Sequence, residues 1–290
     1  MSRRETDTVT GIETTGHVWD DDIKELNRPM PRWWLWTFYA SIVWAIGYMI
    51  AFPAIPTLSG YTRGLLGHSQ RATLANEVEQ ARKRQAVRLQ QVAVTPIADV
   101  RNDAELFRYA TTGGKAVFAE NCAPCHGRGG QGARGYPNLI DDDWLWGGTL
   151  ADIQKTIQVG IRSDHKDARA SAMPRFGLDR LLDNAQINDV AEYVLAIAGH
   201  PGADVAARER GQTIFAEQCV ACHGDDGKGK QEFGAPNLTD ALWLYGGAKG
   251  DIMDSIRTGR GGQMPQWSAR LDPTSIKMLA LYVHSLGGGK

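Results

Sequence analysis

Two pentapeptides hold all four cysteines of the chain: Cys122-Ala-Pro-Cys125-His126 and Cys219-Val-Ala-Cys222-His223. In a helical turn, thiols at i and i+3 lie on one face, with the next side chain close by. Two such thiols can each add to a vinyl group of one porphyrin, and the histidine then lies under its metal. C-x-x-C-H is the attachment pattern of c-type haem. The expected cofactors are therefore two covalently attached haem c groups, bound through Cys122, Cys125, Cys219 and Cys222, with His126 and His223 as iron ligands. A four-cysteine zinc site usually sets its C-x-x-C pairs about 15–20 residues apart. Here they are 97 apart, and each is followed by His-Gly, which argues against zinc and against a disulfide framework.

The elements that must carry these turns are repeated. Phe118-Ala-Glu-Asn-Cys122 matches Phe215-Ala-Glu-Gln-Cys219, and Pro137-Asn-Leu139 matches Pro236-Asn-Leu238. Trp144-Leu-Trp-Gly-Gly148 matches Trp243-Leu-Tyr-Gly-Gly247, Gly160 matches Gly259, and each copy ends in an apolar helical pattern with Tyr193-Val194 or Tyr282-Val283. Asp272-Pro273 reads as an N-cap with proline at the first helical position. Residues 104–200 and 201–290 are thus two copies of one unit: helix, haem motif, glycine-rich loop, helix, ligand loop, final helix. About 90 residues is small for a self-sufficient core, and a covalently held apolar macrocycle would supply its centre. This order resembles the class I cytochrome c fold.

The distal position decides between electron transfer, with His or Met there, and ligand binding, with nothing there. The first copy offers only Met173; the second offers Met253, Met264 and Met278. Met173-Pro174 and Met264-Pro265 share a motif, whereas Met253 aligns with Gln154 on a helix and Met278 lies in the final helix. On this match and the family resemblance, Met173 and Met264 are the expected thioether ligands. The copies differ in spacing. Met173 lies 47 residues after His126 and Met264 lies 41 after His223, the excess being a polar run around 163–170 that contains His165. His165 reads as a loop residue, with competition for iron as the alternative. His17, His68, His200 and His284 read as surface or packing residues. Trp144, Trp146 and Trp243 read as pocket or core aromatics, and Asp141, Asp142 and Asp143 as a solvated turn or a patch for a basic cytochrome.

Upstream, residues 1–31 form a polar lead with Asp20, Asp21 and Asp22, too long and too acidic for a signal-peptide n-region. Within 32–56, no charge occurs from Trp33 to Ala54. That run is long enough for a hydrocarbon core of about 30 Å, with Trp33, Trp34 and Trp36 at its start, as interfacial anchors would be. An uncleaved single-span anchor is expected, with a core helix or a cleaved signal as the alternatives. Flanking charges do not orient it. The resemblance to c-type cytochromes does: it implies haem attachment outside the bacterial cytoplasmic membrane, which would put the N-terminus in the cytoplasm and the haem copies in the periplasm. Residues 57–103 form a linker, with a helix expected over 73–92 that serves a partner, the lipid surface or only solvent. The net charge of −1 on 290 residues, without a concentrated basic field, excludes a nucleic-acid partner.

His17-Val18-Trp19-Asp20, Asn27-Arg28-Pro29-Met30-Pro31-Arg32-Trp33-Trp34 and Tyr136-Pro-Asn-Leu-Ile-Asp-Asp-Asp-Trp-Leu-Trp146 extend the pattern over nearly the whole chain. They resemble the dihaem cytochrome c subunit, subunit III, of cbb3-type cytochrome c oxidases. The resemblance implies a mainly α protein: one N-terminal transmembrane helix, then two tandem class I cytochrome c domains. It implies an inner-membrane subunit without a catalytic site of its own. Such a subunit carries electrons from a cytochrome c or a bc1 complex, through a monohaem cytochrome c subunit, to a haem–copper subunit that reduces oxygen to water. It also implies that Pro137 and Pro236 offer carbonyls to the His126 and His223 rings. An electron-accepting subunit of a periplasmic dehydrogenase and a haem-based gas sensor are the other readings of two haem units.

Overall fold

In the computed structural model, which describes residues 5–200 and 204–290, the chain divides into two compact units, Met1–Lys83 and Arg84–Lys290. Helices dominate, as expected.

The first unit opens with strands β1 (Thr14–Trp19) and β2 (Ile23–Leu26), an antiparallel hairpin in which Trp19 faces Ile23 and Val18 faces Lys24. Its turn contains Asp20 and Asp21 at φ of 48° and 68°, a left-handed conformation that Asp tolerates better than most residues. The acidic cluster, read from sequence only as part of a polar lead, therefore makes a hairpin turn. Helix α1 (Arg32–Ala51) begins directly after Pro31 and buries none of its side chains. It is long and apolar enough to cross a membrane. Two short strands, β3 (Pro56–Thr57) and β4 (Gly60–Tyr61), turn the chain back, so that Leu65 and Leu66 donate to the Ile50 and Ala51 carbonyls at the helix end. The expected linker helix is α2 (Gln70–Val94), and its Val92 is fully buried.

The second unit is built from α3 (Ile97–Asn102), α4 (Ala104–Asn121), the single turn α5 (Ala123–His126), α6 (Leu150–Val159), α7 (Asn184–Ile197), α8 (Val205–Gln218), the single turn α9 (Val220–His223), α10 (Lys249–Thr258) and α11 (Pro273–His284). Local sequence sets their starts. Asp103, Thr149, Asp183, Asp204 and Asp272 accept amide protons in the first turns of α4, α6, α7, α8 and α11, and Asp183 with Gln186 forms a full capping box.

The packing of these helices does not follow the order of the copies. The final helix of the second copy, α11, packs on α4 and α6 of the first, and the final helix of the first copy, α7, packs on α8 and α10 of the second. One core joins Phe118, Ile153 and Ile157 to Ile276, Leu279 and Val283. The other joins Ile187, Val190 and Val194 to Phe215, Ile252 and Ile256. The second core is thus a continuous stretch of chain inserted into a loop of the first, which is closed by the last segment. Gly114 and Gly211 let the paired helices touch. A Cβ on Gly114 would overlap the Met278 carbonyl of α11, and one on Gly211 the Asp189 carbonyl of α7. Met278 is buried in a third core with Val92, Val100 and Leu106, while Met253 packs against the core of α7 and α8, as their expected helical positions imply.

Two crossing connections hold this arrangement. After α6, Ile161 exchanges both backbone hydrogen bonds with Met264, at 2.9 and 3.0 Å. After α10, the Arg260 carbonyl accepts from the Met173 amide at 2.9 Å. Nearer the haem motifs, the Gly135 amide donates to the Leu244 carbonyl and Gln231 Nε2 to the Trp144 carbonyl, at 2.8 and 2.9 Å.

Candidate functional site

Each cysteine motif is a helix end that turns once more. Cys122 ends α4 and begins α5; the Cys125 and His126 amides both donate to its carbonyl, at 3.1 and 2.9 Å. Cys219, Cys222 and His223 repeat this with the same two distances. One tight turn therefore carries both thiols and the imidazole. All four thiols are free, and burial, followed by the neighbouring thiol, pushes Cys122 and Cys219 up to about 11.

The rings are oriented from behind. His126 Nδ1 donates to the Pro137 carbonyl at 3.0 Å and His223 Nδ1 to the Pro236 carbonyl at 3.2 Å. In that tautomer Nε2 carries the free lone pair on the far side of each ring. Burial lowers both imidazole pKa values and the carbonyl contacts only partly oppose it, so the neutral, ligating form is favoured.

The two candidate methionines lie in the cores of the opposite copies. Met264 packs in the core of Cys122, Ala123, Ile153 and Trp267. Met173 packs in the core of Phe215, Cys219 and Val220. Met173 also lines, with Cys219, Cys222, His223 and Trp243, a cavity of about 590 Å³, within the size range of cofactor pockets. The donor set of this cavity suits a c-type haem: two thiols on one turn, a neutral imidazole and a thioether, surrounded by apolar side chains. Trp243 Nε1 is buried without an acceptor, where a haem carboxylate would supply one. Its counterpart Trp144 Nε1 donates to the Gly288 carbonyl.

The other flagged residues separate clearly. His165 is half-buried outside both cores, and its Nδ1 accepts from the Asp167 amide at 3.0 Å. His284 is buried against the Lys290 carbonyl, while His17, His68 and His200 are exposed. Trp146 is buried in the cavity wall. Of the aspartate run Asp142 is exposed, while Asp141 and Asp143 are partly buried. Asp143 is raised to about 6, first by burial and then by Asp240, Asp141 and Asp142. A carboxyl raised on folding destabilises the folded state above that value, and the penalty fades between about 6 and the ordinary 3.8. Asp143→Asn is expected to raise the melting temperature at pH 7.5 and to lose that advantage by pH 4. An equal gain at both pH values would refute the assignment.

Three family models match the chain. One described as the N-terminal domain of cytochrome oxidase-cbb3, FixP, covers residues 11–59. Cytochrome c covers 112–198, and cytochrome C oxidase, cbb3-type, subunit III covers 206–283. Among curated proteins, the chain is 51% identical over 284 residues to the cbb3-type cytochrome c oxidase subunit FixP of Azorhizobium caulinodans, covering 98% of this chain and 96% of that protein. It is 52% identical to FixP of a Bradyrhizobium species, covering 99% and 98% of the two chains. It is also 52% identical to the subunit CcoP of Cereibacter sphaeroides, covering 96% and 95%.

Proposed function

Because this chain belongs to the FixP/CcoP family of cbb3-type cytochrome c oxidase subunits, we propose that it is the membrane-anchored dihaem electron carrier of such an oxidase. It takes electrons from a cytochrome c or a bc1 complex and delivers them, through the monohaem cytochrome c subunit, to the haem–copper subunit. The N-terminal hairpin lies in the cytoplasm, α1 crosses the inner membrane, and both haem sites face the periplasm.

Cys122 and Cys125 tether one haem c, and Cys219 and Cys222 the other. Bound haem supplies reversible one-electron exchange at iron. His126 Nε2 and the Met264 thioether serve the first site; His223 Nε2 and the Met173 thioether serve the second. The Pro137 and Pro236 carbonyls hold each ring in its ligating tautomer, and the two apolar cores exclude water. Held by an imidazole and a thioether, neither haem would be open to oxygen, and Met ligation would favour the high potentials useful near a terminal oxidase. The observation that carries this reading is the placement of one thioether in the core of each haem motif.

Affinity purification from detergent-solubilised membranes is expected to recover a haem–copper subunit and oxygen consumption with reduced cytochrome c. The reduced chain alone is expected to bind little carbon monoxide. Recovery of a flavin or quinone-cofactor dehydrogenase instead would overturn the proposal.

A further inference from the structure

The polar run that lengthens the first copy folds back on its own start. The Arg162 amide donates to the Arg169 carbonyl at 2.7 Å, and the Arg169 amide to the Gly160 carbonyl at 3.3 Å. This brings Arg169 beside Ile161, the residue after Gly160, which caps α6. In the second copy no excursion intervenes, and the residue after Gly259 is itself Arg260.

The two guanidinium groups have matching surroundings. Arg169 lies over the Trp146 ring at 5.4 Å, and its Nε donates to Thr156 Oγ1 at 3.1 Å. Arg260 lies over the Tyr245 ring at 4.4 Å, and its Nε donates to Ser255 Oγ at 3.0 Å. Trp146 and Tyr245, like Thr156 and Ser255, are equivalent positions 99 residues apart; the arginines are 91 apart. The same cation is thus delivered to the same place by two different chain routes.

Arg169 is ion-paired with Asp152, and Arg260 has no carboxylate partner among the described ion pairs, yet each guanidinium keeps hydrogen-bonding capacity to spare. Arg169 Nη2 is buried without a hydrogen-bond acceptor, and the nearest carboxylate, Asp152, is 3.6 Å away. The equivalent Asp251 is paired with Arg134 at 2.6 Å, and Arg260 Nη1 reaches only Thr258 Oγ1, at 3.4 Å. Arg260 lines the cavity shared by His223, Cys219 and Met173. Arg162 also lines it, but Arg162 donates to the Ser171 and Gly262 carbonyls and so ties the crossing connections together. A guanidinium stays charged at any working pH, and a buried donor without an acceptor is costly. An anion belonging to each site is the missing partner, and a haem has two carboxylates.

Resting on the two-haem reading above, we infer that Arg169 and Arg260 are an equivalent pair, one per site, each binding a carboxylate of its own haem and raising that haem's reduction potential. Reduction adds an electron, so a nearby fixed cation favours the reduced form. The excursion over 162–169 restores to the first site the arginine that Ile161 does not provide.

The test uses the full-length chain in detergent with one haem removed at a time. In Cys219→Ala/Cys222→Ala, Arg169→Gln is expected to shift the remaining haem at least tenfold toward the oxidised form, about 59 mV for one electron. Arg260→Gln should leave that haem unchanged. In Cys122→Ala/Cys125→Ala the two substitutions should exchange roles. Lysine at either position should recover most of the potential, and the histidine–methionine absorption should persist throughout. Unchanged potentials, a shift in the wrong haem, or loss of that absorption along with the arginine would overturn the inference. If the parent cysteine variants already lack histidine–methionine absorption, the site reading itself fails and the inference falls with it.

Discussion

Met264→Ala is expected to abolish the histidine–methionine absorption of the haem on Cys122 and Cys125 and to leave the haem on Cys219 and Cys222 intact. The chain order of the copies suggests the reverse, because Met264 follows His223 by only 41 residues. Packing places it otherwise: Met264 shares a core with Cys122 and Ala123, and both of its backbone hydrogen bonds go to Ile161 at the end of α6. Met173→Ala should give the mirror result, since Met173 lies in the cavity wall with His223. In each case the loss is complete for one haem, because a methyl group cannot replace a thioether on iron, and the potential of that haem falls. Spectra of the substitutions combined with Cys219→Ala/Cys222→Ala or Cys122→Ala/Cys125→Ala separate the haems. Loss at the haem of the same copy would mean that the copies close on themselves.

Core substitutions test the same crossing without touching a ligand. Ile276 and Ile187 occupy matching positions in α11 and α7 and are 2% and 0% exposed. Replacing a buried isoleucine with alanine removes burial and leaves a cavity, at a cost of about 2–5 kcal/mol. Ile276→Ala should lower the denaturation midpoint reported by the haem at Cys122, because Ile276 packs with Phe118, Ile153 and Ile157. Ile187→Ala should lower the midpoint at Cys219, because Ile187 packs in the core of Phe215 and Ile256. The measurement is haem absorption during chemical denaturation in the two cysteine backgrounds. Equal effects of either substitution on both haems would show that the cores do not unfold separately.

Local chemistry was readable directly from residues. A C-x-x-C-H turn needs only neighbouring positions, so Cys122–His126 and Cys219–His223 stand out in the chain. Capping is equally local, and Asp272-Pro273 begins α11 as expected. The charge-free run from Trp33 to Ala54 holds all of α1 but its first residue, Arg32, for the same reason. The hairpin at Thr14–Leu26 was not legible, because its strands are short and polar and depend on left-handed aspartates in the turn. Arg169 and Arg260 were hidden because their equivalence breaks the constant offset of the repeat.

The sequence by itself determined the two attachment turns, the repeat, the candidate methionines and the apolar helix, since each depends on spacing within a few turns of chain or on similarity between copies. Only the tertiary structure placed each candidate methionine in the core that holds the other copy's C-x-x-C-H turn. The two copies present nearly the same surfaces: α7 and α11 carry the same Ile, Ala and Val pattern, and α4 and α8 each offer a glycine at the contact. One position breaks that likeness: Asp189 of α7 accepts from Nε and Nη2 of Arg210 on α8, whereas the equivalent Met278 of α11 lies against Gly113 of α4, so exchanging the final helices would leave Arg210 facing a methionine and Asp189 a glycine. The backbone pairing of Ile161 with Met264 and of Met173 with Arg260 reinforces the observed arrangement, and these residues, 103 and 87 apart in sequence, meet only when the whole unit has folded.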